Sequence, residues 1–478
     1  MRSMCEGRAG TLAARLSAAS LIVLPTEAYA HASDRGFVLL LPTGYYLLGG
    51  AIAVAASFLA LAVLPASLPQ RIARLRLPIF LRPPERSRLL VSLASFLVFA
   101  ALVTAGFLGS RDPLSNPLPL TVWTLLWIGL TLIQGLVGDV WWWINPWYGP
   151  WRLLCAVFRL QPDKPVLPYP QSFGHWPAVI LFFGFAWFEL IDPAPDDPRR
   201  LAIVAGIYFA GNLFAMLLFG HRVWAERGEC LSAFFNLVSR PAIFARGANG
   251  RLSLGWPGAR LAYVDPLPAS ATLLLLLVLA SVSFDGFSKT FVWLSANGIN
   301  PLEFPGRTAL LGINTAGLLG AFIALSAVFF TCVWLGGRLA GKASQPVLAL
   351  AGLFVWSLVP IALAYHFAHY LTALVVNGQY ALVALSDPFG WNWDLFGTAG
   401  WQVTPGVVMG SDSAWVLWNL QAGAIIAGHV LAVLVAHMLA ARLRTQRPAI
   451  ALSQLPLTLL MVGYTVFGLW LLSTPTAA

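Results

Sequence analysis

Ten stretches of this chain are apolar over roughly the length that crosses a bilayer, and they leave little freedom of fold. They lie near residues 42–65, 89–108, 120–137, 176–191, 201–219, 267–284, 308–336, 346–376, 415–440 and 451–473. Inside hydrocarbon every backbone N–H and C=O must be satisfied by the protein, and an α-helix does so within one segment. The expected fold is therefore all-α: a polytopic transmembrane helical bundle of about ten spans. Composition agrees, with 58% of the 478 residues hydrophobic, 10% charged and a mean hydropathy of +0.75. Soluble domains of this length do not have that balance.

Residues 1–30 read as a cleaved signal peptide. Arg2, Arg8 and Arg15 precede a short apolar core, Leu16 to Leu24, and Ala28-Tyr29-Ala30 is an A-x-A cleavage site. The mature chain, 31–478, is then a single transmembrane domain that starts outside at His31 and, after ten spans, ends outside. Charge supports this orientation. The predicted outer segments hold only Arg35, Arg111, Arg199, Arg200, Lys289 and Arg307, whereas the inner loops hold most of the 29 Lys and Arg. The formal charge of +10 thus reflects the positive-inside bias of a polytopic membrane protein, with the lipid bilayer as its partner. No basic stripe interleaved with aromatics stands clear of the spans, so nucleic acid is not an expected partner. Cys5, Cys155, Cys230 and Cys332 all fall inside or within spans and lack zinc-site spacing, which makes them packing residues. No Gly-rich phosphate cradle occurs, which excludes an ATP-driven pump within this single chain.

Two connecting regions stand out. The inner segment near 221–266 opens with HRVWAERGECLSAFFNLVSR, the pattern of an amphipathic surface helix with Trp224, Leu231, Phe234 and Phe235 on its apolar face. In it Glu226 and Glu229 are expected to be solvated or paired with Arg222 and Arg227. The outer loop near 377–414 contains SDPFGWNWDLFGTAGW and has no Lys or Arg; long aromatic loops of this kind often act as lids.

Chemistry is expected where ionisable groups enter the spans. Ser357 to Gln379 carries His366 and His369, three apart and so on one helix face. Imidazoles in hydrocarbon need partners, either backbone carbonyls of neighbouring helices or a metal or proton-transfer site. Asp285 lies at the outer end of the sixth span, Asn314 early in the seventh, and Gln421 and His429 in the ninth. His437, about 12 Å further along the ninth span, is too far to share an ion with His429. Three imidazoles and a carboxylate (His366, His369, His429 and Asp285) are a suitable ligand set for zinc, manganese, iron or copper.

Together GDVWWWINPW, YPQSFGHWP, FAWFEL, FGHRVWAERGE, SFDGFSKT, LVPIALAYHFAHY, NGQ, SDPFGWNWDLFGT, QAGAIIAGHV and SQLPLTLLMVGYTVFGLWLLS resemble a family of bacterial multi-pass membrane proteins named fenitrothion hydrolase. The likeness runs from about Trp123 to Ser473. It implies hydrolysis of an aryl phosphorothioate triester, a hydrophobic small-molecule substrate, with release of a nitrophenol. The matching residues are Asp285, His369, Gln379, Asp387, Asp394, Gln421 and His429. In this reading the imidazoles hold a metal ion, Asp285 is ligand or base, and Gln379 or Gln421 orients substrate. Two other readings stand beside it: a secondary transporter, and an envelope metal-handling protein in which His31 binds the ion.

Overall fold

The computed structural model describes residues 43–476 except 65–66, 80–84, 248–250, 304, 342–345, 409 and 444–445. The expected signal peptide and His31 lie outside the described residues, which all belong to one compact unit. Nine helices among them are long and apolar enough to cross a membrane. In chain order these are α1 (Thr43–Val63), α2 (Arg86–Leu108), α3 (Pro117–Leu136), α5 (Pro198–Phe219), α6 (Ala269–Ser288), α7 (Arg307–Leu339), α8 (Val347–Ser386), α9 (Ser411–Leu443) and α10 (Arg447–Ser473). A shorter apolar helix, α4 (Trp176–Leu190), stands between α3 and α5. The chain is a polytopic all-α membrane protein.

At 15 residues α4 is only about 22 Å long, short for a bilayer core. Strand pairing nevertheless counts it as a crossing. Strand β1 (Arg76–Ile79) follows α1, while β2 (Phe244–Arg246) and β3 (Leu252–Gly255) follow α5. They form one antiparallel sheet in the order β1-β3-β2. Segments that hydrogen-bond must share a membrane face, so an even number of crossings separates them, and α2, α3 and α5 alone would be odd. With α4 the parity is right. The same face gathers the segment after α3, where Phe244 N–H donates to Val137 O at 2.8 Å and Arg88 Nε donates to Trp142 O at 3.0 Å. On the opposite face Arg111 pairs with Asp197 across the turns after α2 and α4.

Burial divides the helices by role. The most apolar windows of α6 and α8 are 89% and 83% buried in protein, those of α1, α2 and α7 only 22%. A helix apolar on all sides is stable when surrounded, so α6 and α8 form the centre and the others offer a face to lipid. Close approach is purchased by small residues. A Cβ on Gly428 of α9 would stand 2.4 Å from Ala364 Cβ of α8, and one on Gly468 of α10 would stand 1.8 Å from Tyr365 Oη. Pro360, lacking an N–H, sits where α8 passes from a tight 3₁₀ turn (Val355–Leu358) into its long second part.

Three expectations change. The segment after α5 is not a surface helix: His221–Arg227 and Cys230–Val238 are separate, and Phe234 and Phe235 are fully buried, Phe234 packing on Trp127 and Phe182. Its apolar residues continue round the helix, so it packs inside. Glu229 is not solvated but buried, capping Cys230–Val238 by accepting from Leu231 N (2.8 Å) and Ser232 N (2.7 Å). The aromatic loop is also shorter than expected. Asn377 to Ser386 continue α8, whose rich content of Ala, Val and Leu extends the helix, and the loop proper begins at Asp387.

Candidate functional site

The site lies where α6 meets α8, at the end away from the strands. Asp285 is one turn from the end of α6 and only 2% exposed. A buried carboxylate needs partners, and this one has three. Lys289, one turn on, places Nζ 2.7 Å from Oδ1. From α8, His369 Nε2 lies 2.6 Å from Oδ2, and Tyr370 donates its hydroxyl to the same oxygen at 3.0 Å. The Tyr370 hydroxyl is also 3.0 Å from Glu189 Oε1 at the end of α4. Arg307 Nη1 bonds the main-chain oxygens of Glu189 (2.8 Å) and Asp192 (3.3 Å), fastening the start of α7 to that corner.

These contacts orient His369. An ionised carboxylate only accepts, so Nε2 carries a hydrogen and donates it to Asp285. Nδ1 makes no hydrogen bond among the described residues. It lies beside Gly286, where an added Cβ would be 3.8 Å from Nδ1 and 3.4 Å from Leu471 Cδ1. His369 and Leu471 line a small cavity with Tyr365, Ala368, Ile425 and Gly468. Its volume of about 10 Å³ is the room of one water molecule. An imidazole held by a carboxylate on one nitrogen, with no hydrogen bond on the other among the described residues, is the arrangement of a general base.

The remaining expected residues divide. Gln421 of α9 donates Nε2 to Ala368 O at 2.8 Å and so holds the turn of α8 that carries His369. Gln379 is ten residues further along α8, about 15 Å away; its Oε1 accepts from Thr404 N at 3.0 Å and anchors the aromatic loop. Asp387 accepts from Trp391 N and Asn392 N, and Asp394 from Ser386 Oγ and Ala399 N, so both shape that loop. Asn314 accepts from Trp293 Nε1 at 2.9 Å.

His366 and His429 do not join His369. His366 Nε2 bonds Trp127 O at 2.9 Å, and its ring meets Trp127 and Tyr370 edge-on. His429 Nδ1 bonds Ile425 O at 2.8 Å, one turn back in its own helix, leaving Nε2 buried without a partner. Each imidazole has turned to the nearest strong acceptor, the backbone answer to a histidine in hydrocarbon. Among the described residues no three His, Cys, Asp or Glu gather closely enough to hold a metal ion, so the expected set of His366, His369, His429 and Asp285 is not assembled.

Three members of the cluster were not singled out as site residues by the sequence. Glu189 is the lone acid in WPAVILFFGFAWFEL, and an ionisable residue within an apolar helix is itself a signal. Lys289 is detectable as the i+4 partner of Asp285. Tyr370 flanks His369 but gave no further sign of its role.

The fold and site together define a multi-pass membrane protein with an Asp–His–Lys–Tyr–Glu cluster built on a buried carboxylate. Comparison with family models, curated proteins and solved structures finds no match to this chain.

Proposed function

We propose that this protein is a membrane-embedded hydrolase of neutral, lipophilic esters, with the aryl phosphorothioate triesters implied by its resemblance as the substrate class. The observation that carries the reading is the Asp285-held imidazole of His369, a residue that also lines a cavity with room for one water. In the reaction the water oxygen attacks phosphorus and its proton passes to His369 Nδ1. The aryl oxide leaves with the electrons of the P–O bond, and the diester acid remains. Asp285 orients the ring and stabilises the imidazolium, Lys289 supplies the counter-charge, and Gln421 positions the His369 turn. A neutral triester needs no cationic clamp, and an oily one reaches the site from the bilayer. The charge bias supports a cytoplasmic strand-bearing face and, in this reading, a cluster in the outer half of a bacterial inner membrane.

The test is nitrophenol release by chelator-treated protein in lipid nanodiscs. The reading expects hydrolysis by the wild type and a loss of about 100-fold or more in His369→Gln. Activity that disappears on metal removal and returns with zinc would replace this scheme by a metal-assisted one.

One observation favours a second reading, a proton-coupled transporter. The Tyr370 hydroxyl has one hydrogen but faces two carboxylates at 3.0 Å. Both contacts are hydrogen bonds only if a further proton resides on the Glu189–Tyr370–Asp285 chain. Such a chain suits proton exchange during transport. Proton movement into sealed proteoliposomes that His369→Gln abolishes, without ester hydrolysis, would establish the transporter instead.

A further inference from the structure

A second polar cluster lies on the strand-bearing face, remote from Asp285. Gly258 N–H donates to Pro241 O at 2.7 Å, which sets Arg240 beside the turn leading to Arg260. The register Arg76↔Gly255 brings β1 to the same corner, with Arg76 opposite the end of β3. Arg260 lies within electrostatic reach of the other two guanidinium groups. Burial and the charges of Arg240 and Arg76 push Arg260 down to about 10. The acids within electrostatic reach of Arg240 and Arg260 are Asp139 and Glu226, and Asp139 Oδ1 already accepts from Gln134 Nε2 (3.2 Å) and Trp142 N (3.1 Å). Arg240 Nη2 donates to Asn236 Oδ1 at 3.2 Å, while its Nε is buried with no partner among the described residues.

Arg240 and Arg260 are half-buried and Arg76 is exposed at their edge; like charges gathered at one corner favour a counter-charge, and an unpartnered buried N–H requires an acceptor. One tetrahedral oxyanion meets both needs, because guanidinium forks match phosphate oxygens in pairs. We propose that Arg76, Arg240 and Arg260 form a cradle for a phosphate group, carried by an acidic phospholipid headgroup or free in solution. The surroundings favour the lipid. Trp256, 59% exposed, stands in the same turn, and Trp142 lies under Arg246 at 3.4 Å, an aromatic setting typical of headgroup depth. The sheet is then a device that brings one arginine from the loop after α1 to two from the loop after α5.

The experiment measures the thermal unfolding midpoint of the purified full chain in detergent, titrated separately with phosphatidylglycerol, phosphatidylcholine and inorganic phosphate. Phosphatidylglycerol is expected to raise the midpoint of the wild type, with an apparent affinity at least about 10-fold weaker in Arg260→Gln. Arg111→Gln, on the opposite face, should respond as the wild type does. Should Arg260→Gln not fold, Arg76→Gln on the exposed strand provides the same comparison. A response to inorganic phosphate assigns the cradle to the free ion, and a response to phosphatidylglycerol alone assigns it to lipid. Equal responses to phosphatidylglycerol and phosphatidylcholine, or an undiminished response in the arginine variants, would overturn the proposal.

Discussion

Replacing Asp285 by Asn keeps the shape of the side chain and removes what the cluster is arranged around. The carboxylate accepts three hydrogen bonds on two oxygens: Lys289 on Oδ1, His369 and Tyr370 on Oδ2. An amide has one oxygen. If that oxygen faces Lys289, the NH₂ meets the Nε2–H of His369 donor to donor; if it faces His369, Lys289 loses its acceptor. Either way one charge-assisted bond is lost, costing about 1.5–3 kcal/mol. Lys289 is 32% exposed, so water takes up part of its stranded charge and the lower half of that range is expected. Unfolding of Asp285→Asn in detergent should therefore show a loss of about 2 kcal/mol, and ester hydrolysis should fall about 10²–10⁴-fold as the imidazole loses its orienting partner. The cycle with Lys289→Met isolates the pair, and the double variant should lose less than the two singles combined, by about 1 kcal/mol. Singles that add, together with unchanged stability in Asp285→Asn, would refute the claim that this carboxylate is ionised and bound as described.

Three further outcomes follow from the packing and loops. Gly468→Ala puts a methyl 1.8 Å from Tyr365 Oη and should destabilise by about 1–3 kcal/mol or more, whereas Gly463→Ala, with open space at its Cβ, should change the melting temperature little. Cysteines introduced at Leu77 and Trp256 should react with an impermeant maleimide from one side of sealed vesicles and a cysteine at Trp391 from the other; labelling of the first two from opposite sides would break the crossing parity. The Asp394 carboxyl is held below the usual carboxylate range first by the Ala399 N–H and then by Ser386. A depressed folded value stabilises above the unfolded one and is lost as pH falls through the folded one. Wild type and Asp394→Asn should therefore differ in tryptophan fluorescence at neutral pH and converge only below about pH 4.

The architecture was legible in the sequence because hydrocarbon punishes unsatisfied backbone so heavily that long apolar runs have one outcome. Asp285 and His369 were legible for the related reason that a charge or imidazole in such a run needs a partner. Which partner was not. Helical spacing puts His366 and His369 on one face, yet three residues still differ by about 60° of rotation. That angle turns His366 to Trp127 O and His369 to Asp285. His429 matched them in depth, but depth along separate helices says nothing of azimuth. The three-stranded sheet was hidden because its strands are three or four residues long and β1 lies about 170 residues before β2 and β3 in sequence. Glu229 looked like one more loop charge, and only its position at a buried helix start makes it a cap.

The account stands on His369, rather than His366 or His429, as the group that takes the proton from water. Initial rates of nitrophenol release by His369→Gln, His366→Gln and His429→Gln, each in nanodiscs and each checked for folding, compare the three directly. A fall of about 100-fold or more confined to His369→Gln is the predicted result. Equal losses in His369→Gln and His429→Gln would restore a shared centre, and an unaffected His369→Gln would contradict the account outright.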